Sequence, residues 1–297
     1  MKKHRRGLRL AACLLTLAMC AALLCSCGRT GKTDDYTAAM PVIVVGSDNY
    51  PPFNYMGTDG APTGIDVELA TEAFGRLGYR AKFVTIDWEK KKELVENDTI
   101  DCIWGSFSMD GREEEYQWAG PYLHSRQVVA VRSDSDIYTL QDLADKVVAV
   151  RSDSDIRTLQ DLAGKVVVVQ STTKPEELFL NAEQNGLPRL RRLYSLQNRD
   201  LLYTTLLKGY ADALAAHESA IRQFMKDYSV EYRILDEPLM TARLGVAFAK
   251  ERGDDLPQQL TEVFQEMLAD GTVRQIVSRY LDDPEHYLDG LEDSTHA

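Results

Sequence analysis

From Met40 onward the chain alternates short, wholly apolar runs with longer stretches whose apolar residues recur every three or four positions, and this alternation admits few architectures. An apolar run with no polar face is a strand covered on both sides, and covering both faces of a sheet takes helices. PVIVVGS (41–47) is such a strand. GIDVELATEAFGRLGY then sets Ile65, Leu69, Ala73 and Leu77 on one helical face, with Asp66 expected as the N-cap. AKFVTI is the next strand, DWEKKKELVEN a helix capped by Asp87, and IDCIWGSFSM a further strand with Trp104 directed to the core. Beyond these, PEELFLNAEQNG opens with proline in its first turn and stops at Gly186, and SLQNRDLLYTTLLKG is a helix closed by Gly209. ADALAA is a strand feeding HESAIRQFMKDY, and LPQQLTEVFQEMLADGTVRQIVSRYL is helical with a turn at Asp270-Gly271. The fold class is therefore α/β.

The segment before Met40 is of another kind. Lys2, Lys3, Arg5, Arg6 and Arg9 precede a stretch from Leu10 to Leu24 that is apolar apart from Thr16, the pattern of a secretion signal. Such a stretch reaches roughly 22 Å as a helix, short of a hydrocarbon core of about 30 Å. It ends in Leu24-Cys25-Ser26-Cys27, which resembles the lipobox of bacterial lipoproteins, so residues 1–26 are read as a signal peptide, Cys27 as the lipidated residue and 27–40 as a tether. Loss of the leader's five basic residues takes the net charge from -12 to -17, which argues against nucleic acid as a partner. Cys102 is then left as a lone cysteine in an apolar strand, a small hydrophobe, and neither a disulfide framework nor a metal site nor a cofactor is expected.

Residues 132–150 and 151–169 match at 16 of 19 positions, differing at Tyr138/Arg157, Asp145/Gly164 and Ala149/Val168. One tandem copy indicates a duplication by slippage, since a solenoid needs three or more repeats. Each copy reads as a loop, a short helix capped within Thr-Leu-Gln-Asp, and a strand. The SDSD acids lack the spacing, the glycine and the distal glutamate of a calcium loop and read as a solvated loop.

The stretch FSMDGREEEYQWAGPY (107–122) sets a single arginine, Arg112, in an acidic run after a strand. From the residues alone two readings stand level: a surface pair with Glu113, Glu114 or Glu115, worth roughly 0 to 1 kcal/mol, or a guanidinium aimed at an anion from outside.

VGSDNYPPFNY, G-x-D-V-E-L-A, IDCIWGSFSM with its arginine, WAGPY, LAGKVVVVQSTT, GYADALAAHES and ADGTVRQIVSRYL, in this order, resemble the bacterial extracellular solute-binding proteins of family 3, the polar amino-acid receptors of ABC importers. The resemblance runs from about Pro41 to about Tyr287. It implies a two-lobed type II periplasmic-binding-protein fold whose hinged lobes close on a ligand. Lobe 1 would hold 41–124 and 245–297 and lobe 2 125–244, with hinges near Leu123–Gln127 and Met240–Leu244. Arg112 would take the ligand's carboxylate, helped by Ser106 and Ser108, and Thr172 and Thr173 at a helix start would offer a second anion contact. Asp48, Tyr50 and Trp88 would form a polar contact and aromatic walls. The amine partner departs from the family's pattern: where an aspartate is usual, this chain has His217 followed by Glu218. Glu218 turned inward, a neutral His217, and a ligand without a normal α-ammonium are the open alternatives.

The resemblance further implies an extracytoplasmic, lipid-anchored monomer that delivers an amino acid or related carboxylate to an ABC permease, without catalysis. A carboxylic-acid dehydratase using His217 and Glu218 as acid and base, and a ligand sensor acting through a partner, are the alternatives. One repeat copy is expected at the edge of lobe 2, away from the cleft.

Overall fold

A computed structural model describes residues 40–133 and 156–291. The leader, Cys27 and all but the first two residues of the first repeat copy, with its SDSD loop, lie outside the described residues. Among the described residues there are eleven strands: β1 (Val42–Ser47), β2 (Tyr55–Met56), β3 (Pro62–Thr63), β4 (Arg80–Thr85), β5 (Cys102–Ser108), β6 (Gln117–Arg132), β7 (Val166–Gln170), β8 (Arg192–Leu196), β9 (Ala213–His217), β10 (Tyr232–Ile234) and β11 (Met240–Phe248). The helices are α1 (Ile65–Arg76), α2 (Lys91–Glu96), α3 (Lys174–Leu180), α4 (Asp200–Leu207), α5 (Glu218–Tyr228), α6 (Leu256–Ala269), α7 (Thr272–Val277) and α8 (Glu285–Leu288).

The main sheet runs β4-β1-β5-β11-β6-β9-β7-β8, with β10 beside β6. Its two halves are built alike. In one, β4, β1 and β5 are parallel and β11 runs antiparallel to β5. In the other, β8, β7 and β9 are parallel and β6 runs antiparallel to β9. β6 belongs to both, pairing with β11 from Gln117 to Gln127 and with β9 from Gln127 to Val131. The segments 123–127 and 240–244 pair with each other, Met240 opposite Gln127 and Leu244 opposite Leu123.

The apolar runs become strands because both faces are covered. Val128 and Ala130 of β6 join Val166 and Val168 of β7 in one cluster, while Val129, Val131, Val167 and Val169 enter another on the opposite face. That is the period-two division of a sheet between two helical layers. The first half is divided likewise. Trp104 is fully buried against Phe74, Tyr122 and Phe264, with ring centroids 5.9, 5.5 and 5.4 Å away. Cys102 is also buried, with no cysteine partner among the described residues.

At local detail the structure corrects one expectation. The N-cap of α1 is Gly64, at φ 123, and Asp66 lies in the first turn, fully buried. Its carboxylate accepts the Ser106 N–H at 2.7 Å and the Tyr122 hydroxyl at 2.9 Å, so it ties α1 to β5 and β6. A Cβ at Gly64 would sit 2.3 Å from the Phe53 carbonyl oxygen. Gly64→Ala therefore combines a left-handed backbone with a backbone clash, and a loss of about 1–3 kcal/mol is expected on chemical denaturation.

From Ile156 onward the second repeat copy supplies the short helical turn and the strand read from it, and its loop residues 151–155 lie outside the described residues. The Asp161 carboxylate accepts the Thr158 N–H at 2.7 Å around a 3-10 turn at Leu159–Leu162, and β7 follows.

Candidate functional site

In each half the three parallel strands have the order second-first-third along the chain, so the connections from the first strand and the third leave in opposite directions. Such a switch point opens a crevice at the carboxyl ends of the strands. Here the two crevices face each other. The ends of β1, β5, β7 and β9 converge on one cavity of about 30 Å³.

Tyr50, Trp88, Ser106, Ser108, Arg112, Thr172, Thr173 and His217 all line it. Tyr50 follows β1 and Trp88 follows β4. Ser106 and Ser108 lie on β5, and Arg112 comes just after it. Ser106, near the end of β5, and Thr172, just after β7, hold left-handed φ values of 53 and 57 without being glycine. Strained residues of this kind cluster at ligand clamps. The Ser106 Oγ is buried without a partner, and the Thr172 N–H already donates to Glu176 at 2.5 Å.

Arg112 faces the opposite half of the sheet. Its Nη2 donates to Glu177 of α3 at 3.2 Å, its Nη1 lies 3.4 Å from the Ser108 carbonyl, and its guanidinium lies over the Phe107 ring at 5.4 Å. Lys174 donates to the same Glu177 carboxylate at 2.5 Å. Arg112 thus pairs with none of the neighbouring acids; those reach other partners, Glu113 pairing with Arg243, Glu114 with Lys250 and Glu115 with Lys92.

Two residues named from the sequence are placed elsewhere. Asp48 is not among the lining residues: its carboxylate reaches across to two residues that are, accepting Arg199 at 3.0 Å and Gln170 at 2.9 Å through Oδ2. Glu218 begins α5, and its side chain turns away from the cavity to Arg126 at 3.1 Å and Arg222 at 2.6 Å, in a separate surface recess. His217 and Glu218 therefore diverge, and they do not form a pair facing Arg112.

His217 is buried and neutral. Burial pushes its imidazole down to about 3, with the Arg199 guanidinium adding to the effect. Both ring nitrogens are engaged, Nδ1 with the Ser125 hydroxyl at 2.8 Å and Nε2 with the Gln127 amide at 2.8 Å.

Several lining groups carried no sequence signal. Gln127, Gln170, Lys174 and Arg199 all reach the cavity. Lys91 reaches across from the first half, donating to the Thr172 hydroxyl at 2.9 Å, and lies over the rings of Trp88 and Phe107. Burial pushes its ammonium down to about 8, with Arg112 contributing, so it remains mostly charged at neutral pH. Further bonds span the cavity: Ser171 donates to Glu89 at 2.7 Å, Gln197 also donates to Glu89, and the His217 N–H reaches the Tyr50 hydroxyl at 3.2 Å.

Two facing α/β halves, joined by paired strands and meeting over a cation-lined cavity, define a class of binding protein. Residues 42–283 match the model of the Bacterial extracellular solute-binding proteins, family 3, and the chain belongs to that family. It is 29% identical over 256 residues to the Histidine-binding periplasmic protein of Escherichia coli (strain K12), covering 82% of this chain and 90% of that protein. It is 23% identical over 300 residues to the Glutamate-binding protein GluB of Corynebacterium glutamicum, covering 95% and 93%. A solved ABC uptake transporter substrate binding protein from Streptococcus pneumoniae, with bound histidine, has a TM-score of 0.69 at 21% identity over 84% of this chain and 95% of that one. The fold is the two-lobed type II periplasmic-binding-protein fold, with its cleft between the lobes. These relatives are binding proteins, and the chain has a substrate-binding role. Among the described residues no helix is long and apolar enough to cross a membrane.

Proposed function

We propose that the chain is the extracytoplasmic receptor of an ABC importer and captures a small carboxylate-bearing solute, an amino acid or a related acid, by closing its lobes around it. The observation that carries this reading is Arg112, a partly buried guanidinium at the end of β5 that reaches across the cavity to a carboxylate on the other half. A guanidinium fork grips a carboxylate through parallel charge-assisted bonds that fix its orientation. In this reading a solute's carboxylate exchanges with that of Glu177, and Ser106, Ser108, Thr172 and Thr173 complete the cradle. A cavity of about 30 Å³ has room for little more than a water, so a solute of amino-acid size enters only when the lobes part. Lobe 1 is assigned to 41–124 and 245–297 and lobe 2 to 125–244, with the paired segments 123–127 and 240–244 as the hinge. Closure then presents both lobes to a membrane permease. The leader and Cys27 are assigned to export and to a lipid anchor at the cell membrane, and the receptor acts as a monomer.

Native mass spectrometry of the full chain, followed by a thermal-shift screen of small acids, tests this reading. A captured carboxylate raises Tm with concentration, by about 2.7 kcal/mol of added stability at a hundred times Kd. A chain that responds to neutral sugars and to no carboxylate would contradict it.

The second repeat copy provides the 3-10 turn at Leu159–Leu162 and most of β7, so the first is assigned to the lobe's edge. Deleting residues 132–150 rejoins Val131 to an unchanged RSDSDI. Solute affinity measured by calorimetry is expected to stay the same; a loss of about tenfold or more would place the first copy in the site.

A further inference from the structure

Capture of a carboxylate at Arg112 leaves the solute's other end unassigned, and Arg199 bears on it. Its guanidinium carbon lies 3.1 Å from the centroid of the Tyr50 ring, and its side chain is 8% exposed. One terminal nitrogen is spent on Asp48, while Nε is buried with no partner among the described residues. A buried guanidinium N–H without an acceptor is costly, and native proteins rarely leave one so. The group lines the cavity, so an acceptor supplied by the solute would satisfy it.

Charge around the cavity points the same way. Arg112, Lys174 and Arg199 line it, and among the described residues no Asp or Glu does. Of the nearest acids, Asp48 holds Arg199 through Oδ2, its Oδ1 buried without a partner among the described residues, and Glu177, 43% exposed at the rim, is shared by Arg112 and Lys174. Glu89 accepts from Ser171 and Gln197. Lys91 adds a further positive charge whose hydrogen bonds go to neutral oxygens of Trp88 and Thr172. Arg199 also covers the Tyr50 face, so a cationic side chain of a solute finds no open tyrosine ring there. Once a solute carboxylate has taken the place of Glu177 at Arg112, Lys174 and Arg199 still line the cavity, and a second carboxylate matches them better than a cationic group does.

We infer that the cleft selects doubly acidic solutes, gripping one carboxylate at Arg112 and the other at the free Nε of Arg199. This rests on the carboxylate-capture reading above. Gln127 and Gln170 each leave a buried amide oxygen without a partner, so a donor on the connecting carbon chain, an amine or a hydroxyl, is also met.

Calorimetry on the full chain with L-glutamate, glutarate, L-glutamine and L-arginine tests the inference. The wild type is expected to bind at least one of the two diacids roughly tenfold to a hundredfold more tightly than L-glutamine, and L-arginine least. Arg199→Gln should remove that preference by weakening the diacids far more than L-glutamine. Because this change strands Asp48, the double variant Asp48→Asn/Arg199→Gln repeats the test with the pair neutralised together. L-glutamine or L-arginine binding as tightly as the diacids overturns the inference and leaves carboxylate capture standing, as does a preference that survives both variants. Failure of both diacids to bind also overturns it. If Arg112→Ala leaves every solute's affinity unchanged, the underlying reading falls instead.

Discussion

Arg112→Ala is expected to weaken solute capture by about a hundredfold or more while leaving the fold intact. Two charge-assisted bonds contribute about 1.5–3 kcal/mol each, and the loss of either one in a shielded cleft is at least tenfold. The side chain makes few structural bonds of its own: one to Glu177, which Lys174 also holds, and a long contact to the Ser108 carbonyl. Its main-chain carbonyl, which accepts the Trp118 indole N–H at 3.0 Å, survives the substitution. The loss should therefore appear in affinity and not in stability. Arg112→Lys should recover only part of it, because an ammonium supplies a point charge without the planar fork. Calorimetry on the three proteins, paired with thermal unfolding of each, separates these outcomes. An alanine variant that binds as tightly as the wild type would falsify the assignment.

The second large effect concerns Asp66. Burial raises its carboxyl to about 7, against the opposing hydrogen bonds from Tyr122 and Ser106. In the unfolded chain it titrates near the ordinary value of 3.8. The folded chain thus holds a proton that the unfolded chain has released between about pH 4 and pH 7. Stability contributed by this group is full below that window and declines across it as pH rises, by roughly 4 kcal/mol in all. Asp66→Asn removes the titration, so the difference in stability between wild type and variant should fall through this window and stay level outside it. Parallel curves would show that Asp66 does not titrate there. Asp66→Ala leaves the Ser106 N–H and the Tyr122 hydroxyl without their acceptor and is expected to cost about 2–4 kcal/mol at pH 5.

Much of this architecture is legible from the residues because its strands are apolar on both faces. VVVVQ and ALAAH announce buried parallel strands, and the helices between them show regular apolar spacing. Asp66 misleads because an acid at the start of an apolar helical pattern resembles a cap, and only packing reveals that it points inward to β5 and β6. At the site, residues on strand ends are readable because chain order fixes where those ends meet. Side chains that cross the cleft are not. Lys91 stands in EKKK, which looks like a solvated helix face, and its burial follows from Thr172 on a segment far along the chain. Arg199 precedes an ordinary helix, and its role depends on Tyr50 and Asp48, which tertiary folding alone brings to it. Glu218 shows the converse: next to a lining residue in sequence, it leaves the cleft because a strand ends and a helix starts between the two.

The most direct measurement is a crystal structure of the full chain with its solute bound. The account predicts a solute carboxylate within hydrogen-bond distance of the Arg112 guanidinium, with the Glu177 carboxylate displaced and the lobes closed over both. A bound solute whose carboxylate lies elsewhere, with Arg112 still on Glu177, would contradict it.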